Sequence, residues 1–326
     1  MSYETDIIVR QQIYLEGVKN YEADQGEEVR NAVIAVVVAL LIREGIERLS
    51  DMNKRQFSQF VSLVRARLAK RFTQLNVATV KRFIELMRAD YLVTKNTYKA
   101  MFPDKGTPPK VAASVLWADI RNDPIAATGD KPVEMSKGFY AAALAAVTQL
   151  LKQSYADRKT VQETILLLQG TKKLKFKDGL LSKLVRQYGA MIETVIQHIS
   201  GYIGAKLGSF FSDRYIWLSV LDANTTDICR GRNGHIYLYG AGPQPPAHFR
   251  CRSRTRPVFA EVGVPVSFYQ WFMRQPPIFQ DDIFGQRTAG GYRSGRYGAA
   301  DMPKYTNDLR LTPQEYAGKQ NLITTA

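Results

Sequence analysis

RYIWLSVLDANTTDICRGRNGHIYLYG, residues 214–240, is where the sequence changes character. Its opening RYIWLSVLD carries the aromatic and β-branched side chains of a strand, and GHIYLYG at 234–240 reads as another short one. Between them stand Asn, Thr, Asp and Gly, residues that turn a chain or start a helix. Further on, GPQPPAHFRCRSRTRPVF at 242–259 joins a proline-rich link to an alternating basic run. This stretch predicts a small α+β module.

Upstream the texture is helical. Phe57, Phe60, Val61, Val64 and Leu68 recur at spacings of three and four, which makes one apolar face, with Arg65, Arg67, Lys70 and Arg71 mostly off it. Asp51 and Asn53 are N-cap candidates, and Asn76 is a candidate cap for a following helix. PDKGTPPK at 103–110 is a break, because proline removes amide donors and glycine favours turns. Helices are expected over 112–120, 139–155, 161–168 and 180–211, the last with Leu184, Tyr188, Met191, Val195 and Ile199 along one side. From 285 onward, GQRTAGGYRSGRYGAADMPKY reads as Gly-rich loop docked by its surroundings. The expected fold class is α+β: a mainly helical N-terminal region over 1–155, a small α+β module over 156–284, and an extended Gly-rich C-terminal tail over 285–326.

Composition bounds the partners. The chain has 326 residues, with 45 Lys+Arg against 30 Asp+Glu, a formal net charge of +15. Such an excess favours a polyanionic partner: nucleic acid, an anionic membrane or an acidic protein surface. Two cysteines exclude a disulfide scaffold and fit a reducing compartment. The start, MSYETDIIVRQQIYLEG, lacks a signal peptide's basic region and long apolar run. The most apolar stretch, NAVIAVVVALLI at 31–42, is far shorter than the roughly 20 residues that span a bilayer and reads as a buried helix. There is no GxSxG, P-loop, HExxH, or GxGxxG before a helix, so the chain is not expected to be an enzyme.

Both cysteines and two of the three histidines fall in one window, in the order Cys229, His235, His248, Cys251. Thiolate and imidazole ligands suit tetrahedral zinc, and four of them would close a structural site. The spacing is not that of a common zinc finger. Two other readings stay open: buried cysteines unrelated to loop histidines, and a Cys229–Cys251 disulfide.

The same window resembles the C-terminal domain of phage minor head proteins, the Mu F-like head morphogenesis family. The matching residues are Asp222, Thr225, Thr226, Cys229, Asn233, Gly234, Pro245, Pro246, His248, Cys251 and Arg252. Tyr269, Trp271, Gln275, Pro276, Gln280, Gly285, Arg287, Gly295 and LTPQEY at 311–316 extend the likeness, which covers about residues 180–316. Two departures stand out: Asn224 where many members have Arg, and Ser253 where many read Cys-Arg-Cys. The shared ligand candidates are then Cys229, His248 and Cys251, with His235 an unshared fourth and Asp222 able to orient a ligand by hydrogen bond.

The resemblance implies a virion structural and assembly protein at the portal vertex. Its implied partners are the portal protein, the capsid interior or scaffold, and double-stranded DNA held without sequence preference. It also implies several copies per virion, no membrane in the assembled head, and a stay in the host cytoplasm during assembly. Zinc is the only cofactor expected. Arg250, Arg252, Arg254 and Arg256 alternate, so a strand would line them on one face for phosphate or an acidic partner. Lys172, Lys173, Lys175 and Lys177, with Lys183 nearby, offer the same chemistry from a loop. Tyr292, Arg293, Arg296 and Tyr297 fit either a nucleic-acid backbone or a docked tail. The alternative from another class is a DNA-processing, metal-dependent nuclease built on Cys229, His235, His248 and Asp222.

Overall fold

The structure is a computed structural model that describes residues 3–222, 224–258, 267–302 and 309–324. Helices α1 (Tyr3–Asp24), α2 (Gly26–Val33) and α3 (Ala39–Arg43) open the chain, with a π-helical turn, Ile34–Val38, inside the apolar run. The long α4 (Lys54–Met101) follows, then α5 (Ala113–Asn122), α6 (Pro132–Ala156), α7 (Val161–Gln169) and α8 (Leu180–Gly208). The strands are β1 (Arg214–Leu218), β2 (Ile236–Leu238) and β3 (Arg254–Pro257), with α9 (Asp227–Arg232) between the first two. They form one antiparallel sheet in the order β2-β1-β3. Four further helices close the chain: α10 (Phe268–Phe272), α11 (Pro277–Arg293), α12 (Pro313–Gly318) and α13 (Gln320–Thr324). The fold is mainly helical with a small α+β module. No helix among the described residues is long and apolar enough to cross a membrane.

The chain divides into two contact units that are discontinuous in sequence, unlike the three consecutive segments expected. One comprises residues 1–22, 83–132 and 193–326; the other comprises 23–82 and 133–192. In the first, α1 is buried on nearly every side: Ile7, Ile13, Tyr14, Leu15 and Val18 are enclosed, and so are Gln11, Gln12 and Lys19. That is why α1 shows no clean apolar stripe. The sheet places Tyr215, Ile216, Trp217 and Leu218 in the same core, with Trp217 opposite Thr255 and Ile216 opposite Arg256.

In the second unit the predicted face of α4 is buried through Phe60, Val61, Val64 and Leu68. Phe57 stacks on Tyr155 with ring centroids 3.9 Å apart. Asn53 caps α4, since its Oδ1 accepts from the Gln56 amide at 2.9 Å while the Gln56 side chain accepts from the Asn53 amide. Asn76 starts no helix. It lies inside α4 and accepts from the Ser136 hydroxyl at 2.6 Å, so a partner on α6 takes the bond a cap would have made.

The segment from 285 is helical where it was expected to be extended. α11 continues through Gly285, where the backbone turns out of helix at φ 74°, to Arg293. One of its glycines serves close contact: a Cβ on Gly291 would come within 2.3 Å of the Tyr297 ring. Tyr292 is buried, and Arg293 pairs with Asp281 at 2.7 Å, so these residues belong to a docked segment. Tyr316 and Ile323 are also buried, on α12 and α13. Residues 303–308 and 325–326 of the predicted tail, like Phe259, lie outside the described residues.

Candidate metal centre

Two loops meet at the sulfur atoms. The first leaves β1 at Leu218 and enters α9, which carries Cys229 with its side chain against Trp217. Ser219 fastens it: its hydroxyl donates to the Cys229 carbonyl at 2.8 Å and accepts from the Trp217 indole N–H at 2.9 Å. Asn233 accepts the Ser219 amide at 2.9 Å, and Gly234, at φ 84°, then returns its own amide to the Trp217 carbonyl. A side chain at 234 would be strained in that left-handed conformation. Upstream of α9, Asp222 accepts both Arg252 guanidinium nitrogens, at 2.6 and 2.7 Å, and Thr225 bonds to the Val220 carbonyl. The motif residues therefore hold one another.

The second loop runs from the buried Pro245 and Pro246, joined by a cis peptide bond, to Cys251. It lies on α8 at Gly201, where a Cβ would meet the Pro245 carbonyl oxygen at 2.6 Å. The Arg250 amide donates to Thr194 on α8. The Cys251 carbonyl accepts from Lys19 Nζ of α1 at 2.9 Å, and the Ser253 carbonyl accepts from Gln197 at 2.7 Å. Lys19 is itself buried, paired to Glu16 at 2.6 Å.

Cys229 Sγ lies 3.7 Å from Cys251 Sγ and 3.1 Å from His248 Nε2. The three donor atoms all fall within 4.8 Å of one another. His248 Nδ1 is 2.7 Å from the Phe249 carbonyl, to which it donates, leaving Nε2 to face the sulfur. The hydrogen bond from Cys229 holds Cys251 well below the usual thiol range against the effect of burial, with His248 adding to it. The same bond, then burial, pushes Cys229 up. His248 is raised, chiefly by its bond to Cys251. Such a cluster stores the negative charge that a soft cation would neutralise.

The donor set fits zinc. Two thiolates on a tetrahedral ion with Zn–S near 2.3 Å stand about 3.8 Å apart, close to the sulfur separation here. A small cavity of about 10 Å³, lined by Cys229, His248, Thr226 and Ser253 among others, adjoins the donors and has room for one water. Ser253 has its hydroxyl 3.0 Å from that of Ser219.

His235 is not the fourth ligand. It is exposed at the start of β2, its carbonyl accepts from the Trp217 amide, and its ring faces Tyr237. Closeness in sequence brought it into the window, but the turn at Gly234 sends it elsewhere.

The arginines do not form one row either. Arg250 is exposed, in the left-handed region at φ 59°, with Nε 3.4 Å from Glu193. Arg252 is engaged by Asp222. Arg254 and Arg256 are 4% and 3% exposed, because only 254–257 is strand and the face they occupy is covered by the protein's own core. Lys172, Lys173, Lys175 and Lys177 are all exposed, in the loop between α7 and α8. Trp217, Ser219, Lys19 and Gln197 build the centre and were missed by sequence reasoning. Of these only Trp217, in its strand, carried any signal.

Comparison with family models, with curated proteins and with solved structures finds no match to this chain.

Proposed function

We propose that the chain is a structural and assembly protein of a phage head, of the minor head type, associated with the portal vertex and packaged double-stranded DNA. It acts in head morphogenesis and in DNA packaging or ejection, without catalysis. The observation that carries this reading is the convergence of Cys229, His248 and Cys251, with Asp222, Thr225 and Asn233 fastening the loops that bear them. The quoted motif is thus a small folded unit around a cavity of about 10 Å³. Zinc held by the three donors, completed from the adjoining cavity, staples that unit. The net charge of +15 suits a neighbour of packed DNA. The nuclease alternative would draw on Cys229, His235, His248 and Asp222. Asp222 gives both oxygens to Arg252, and His235 points away.

Native mass spectrometry with metal analysis tests the staple. About one zinc per chain is expected, lost in Cys251→Ser together with much of the thermal stability. Metal-free protein from a purification without chelators would remove zinc from the reading. The genes beside this one test the role: portal, terminase and scaffold neighbours are expected, and a setting without any of them overturns it.

A further inference from the structure

The loop between α7 and α8 is built to hold apolar side chains in solvent. Its ends, Gly170 and Gly179, touch backbone to backbone: a Cβ on Gly179 would lie 2.3 Å from the Gly170 nitrogen. The Thr171 amide and hydroxyl both donate to the Asp178 carboxylate, at 2.8 and 2.9 Å. The Phe176 amide donates to the Thr171 carbonyl at 2.8 Å and the Lys177 amide to that of Leu174 at 3.1 Å. At the tip, Lys175 and Phe176 are both left-handed, with φ 52° and 60°. For two consecutive residues with side chains this is a strained arrangement, which persists only where the surroundings impose it. The outcome is that Leu174 is 54% and Phe176 49% exposed, among four exposed lysines. Leu166 and Leu167, in the last turns of α7, are each 50% exposed. None of the four lysines pairs with a carboxylate among the described residues.

The side-chain chemistry selects the partner. Protein interfaces are depleted in lysine at their centres and favour arginine and aromatic anchors. A phosphate backbone would reward the lysines and leave two aliphatic-to-aromatic tips with nothing to bury against. An anionic lipid surface rewards both: the lysines stay at the headgroups and the apolar tips enter the acyl boundary. We infer that the 170–179 loop is a peripheral docking element for anionic membranes, with Leu174 and Phe176 as the inserting residues. This goes beyond the head-protein reading and stands independently of it.

The test is co-sedimentation of the full chain with vesicles of phosphatidylcholine alone or mixed with phosphatidylglycerol. Binding only to the mixed vesicles is expected, weakening as salt is raised. Leu174→Ser combined with Phe176→Ser keeps the charge and should lower vesicle affinity by about tenfold or more. A Phe176→Trp chain should show a blue shift of its added emission on the mixed vesicles. Failure to bind them overturns the inference. So does binding that the double serine variant leaves intact, which would mark a purely electrostatic contact, or binding of random-sequence duplex DNA in place of vesicles. Thermal melts of the variants should match the parent, because the altered side chains are exposed.

Discussion

Two glycines on either side of the cysteine loops have opposite roles. Gly201 on α8 is where the Pro245 carbonyl comes to rest, 2.6 Å from where a Cβ would stand. The obstructing atom is backbone, so Gly201→Ala has to push the whole proline link away and is expected to cost about 1–3 kcal/mol. Gly231 sits in α9 with nothing within 4 Å of its Cβ direction. There Gly231→Ala should raise stability by roughly 0.5–1 kcal/mol, because glycine loses the most backbone freedom in a helix. Urea unfolding of the two variants beside the parent checks both signs. Equal effects would mean that the contact at Gly201 does not constrain the proline link.

Between elements, α8 meets the end of α5 through His198. The ring is 3% exposed, leans on the backbone of Ile120 and Asp123, and has its Nε2 3.6 Å from the Asp123 carboxylate. Burial, only partly offset by those backbone bonds, pushes its pKa down to about 4. In the unfolded chain the value is about 6.5, so the fold favours the neutral ring. The resulting stability, up to about 3 kcal/mol, is fully present above pH 6.5 and is lost as pH falls toward 4. His198→Gln should flatten the difference in urea midpoint between pH 7 and pH 5 relative to the parent. An unchanged difference would show that other groups carry the acid sensitivity. At this scale much was legible in the sequence. The stripe from Leu184 to Ile199 is buried along its whole length, and Asn53 caps as expected. Illegible were the features that depend on what covers a face. Arg254 and Arg256 alternate correctly but face the interior, and Asn76 has cap chemistry answered by Ser136 from a distant helix. The metal-competent triad was legible as three residues. The rejection of His235 was not, because its direction is set by one left-handed glycine.

For the molecule as a whole, the glycine-rich C-terminal segment is the clearest departure from expectation, and it yields a sharp test. Tyr316 donates to the fully buried Asp90 carboxylate at 2.6 Å and accepts from Gln11 at 3.1 Å. Tyr316→Phe removes a donor from a buried carboxylate oxygen and should cost about 1–3 kcal/mol in chemical denaturation. Ending the chain after Met302 should cost more, since the buried Leu311 and Ile323 go with Tyr316. A loose tail could be removed for under about 0.5 kcal/mol. Composition could not separate these cases, because glycine serves close contact and flexibility alike. The enclosed α1 carries a further consequence, for the order of events at the ribosome. Its polar side chains find their partners in Gln197 and in the Cys251 carbonyl, and its Gly17 carbonyl accepts from the Leu311 amide. Synthesis runs from the N-terminal side at about 5–20 residues per second, so α1 is made well before the residues that complete its surroundings. Residues 23–82 and 133–192 have all their own contacts available before residue 193 is added. On a nascent chain that unit therefore has its contacts within reach before α1 has its own.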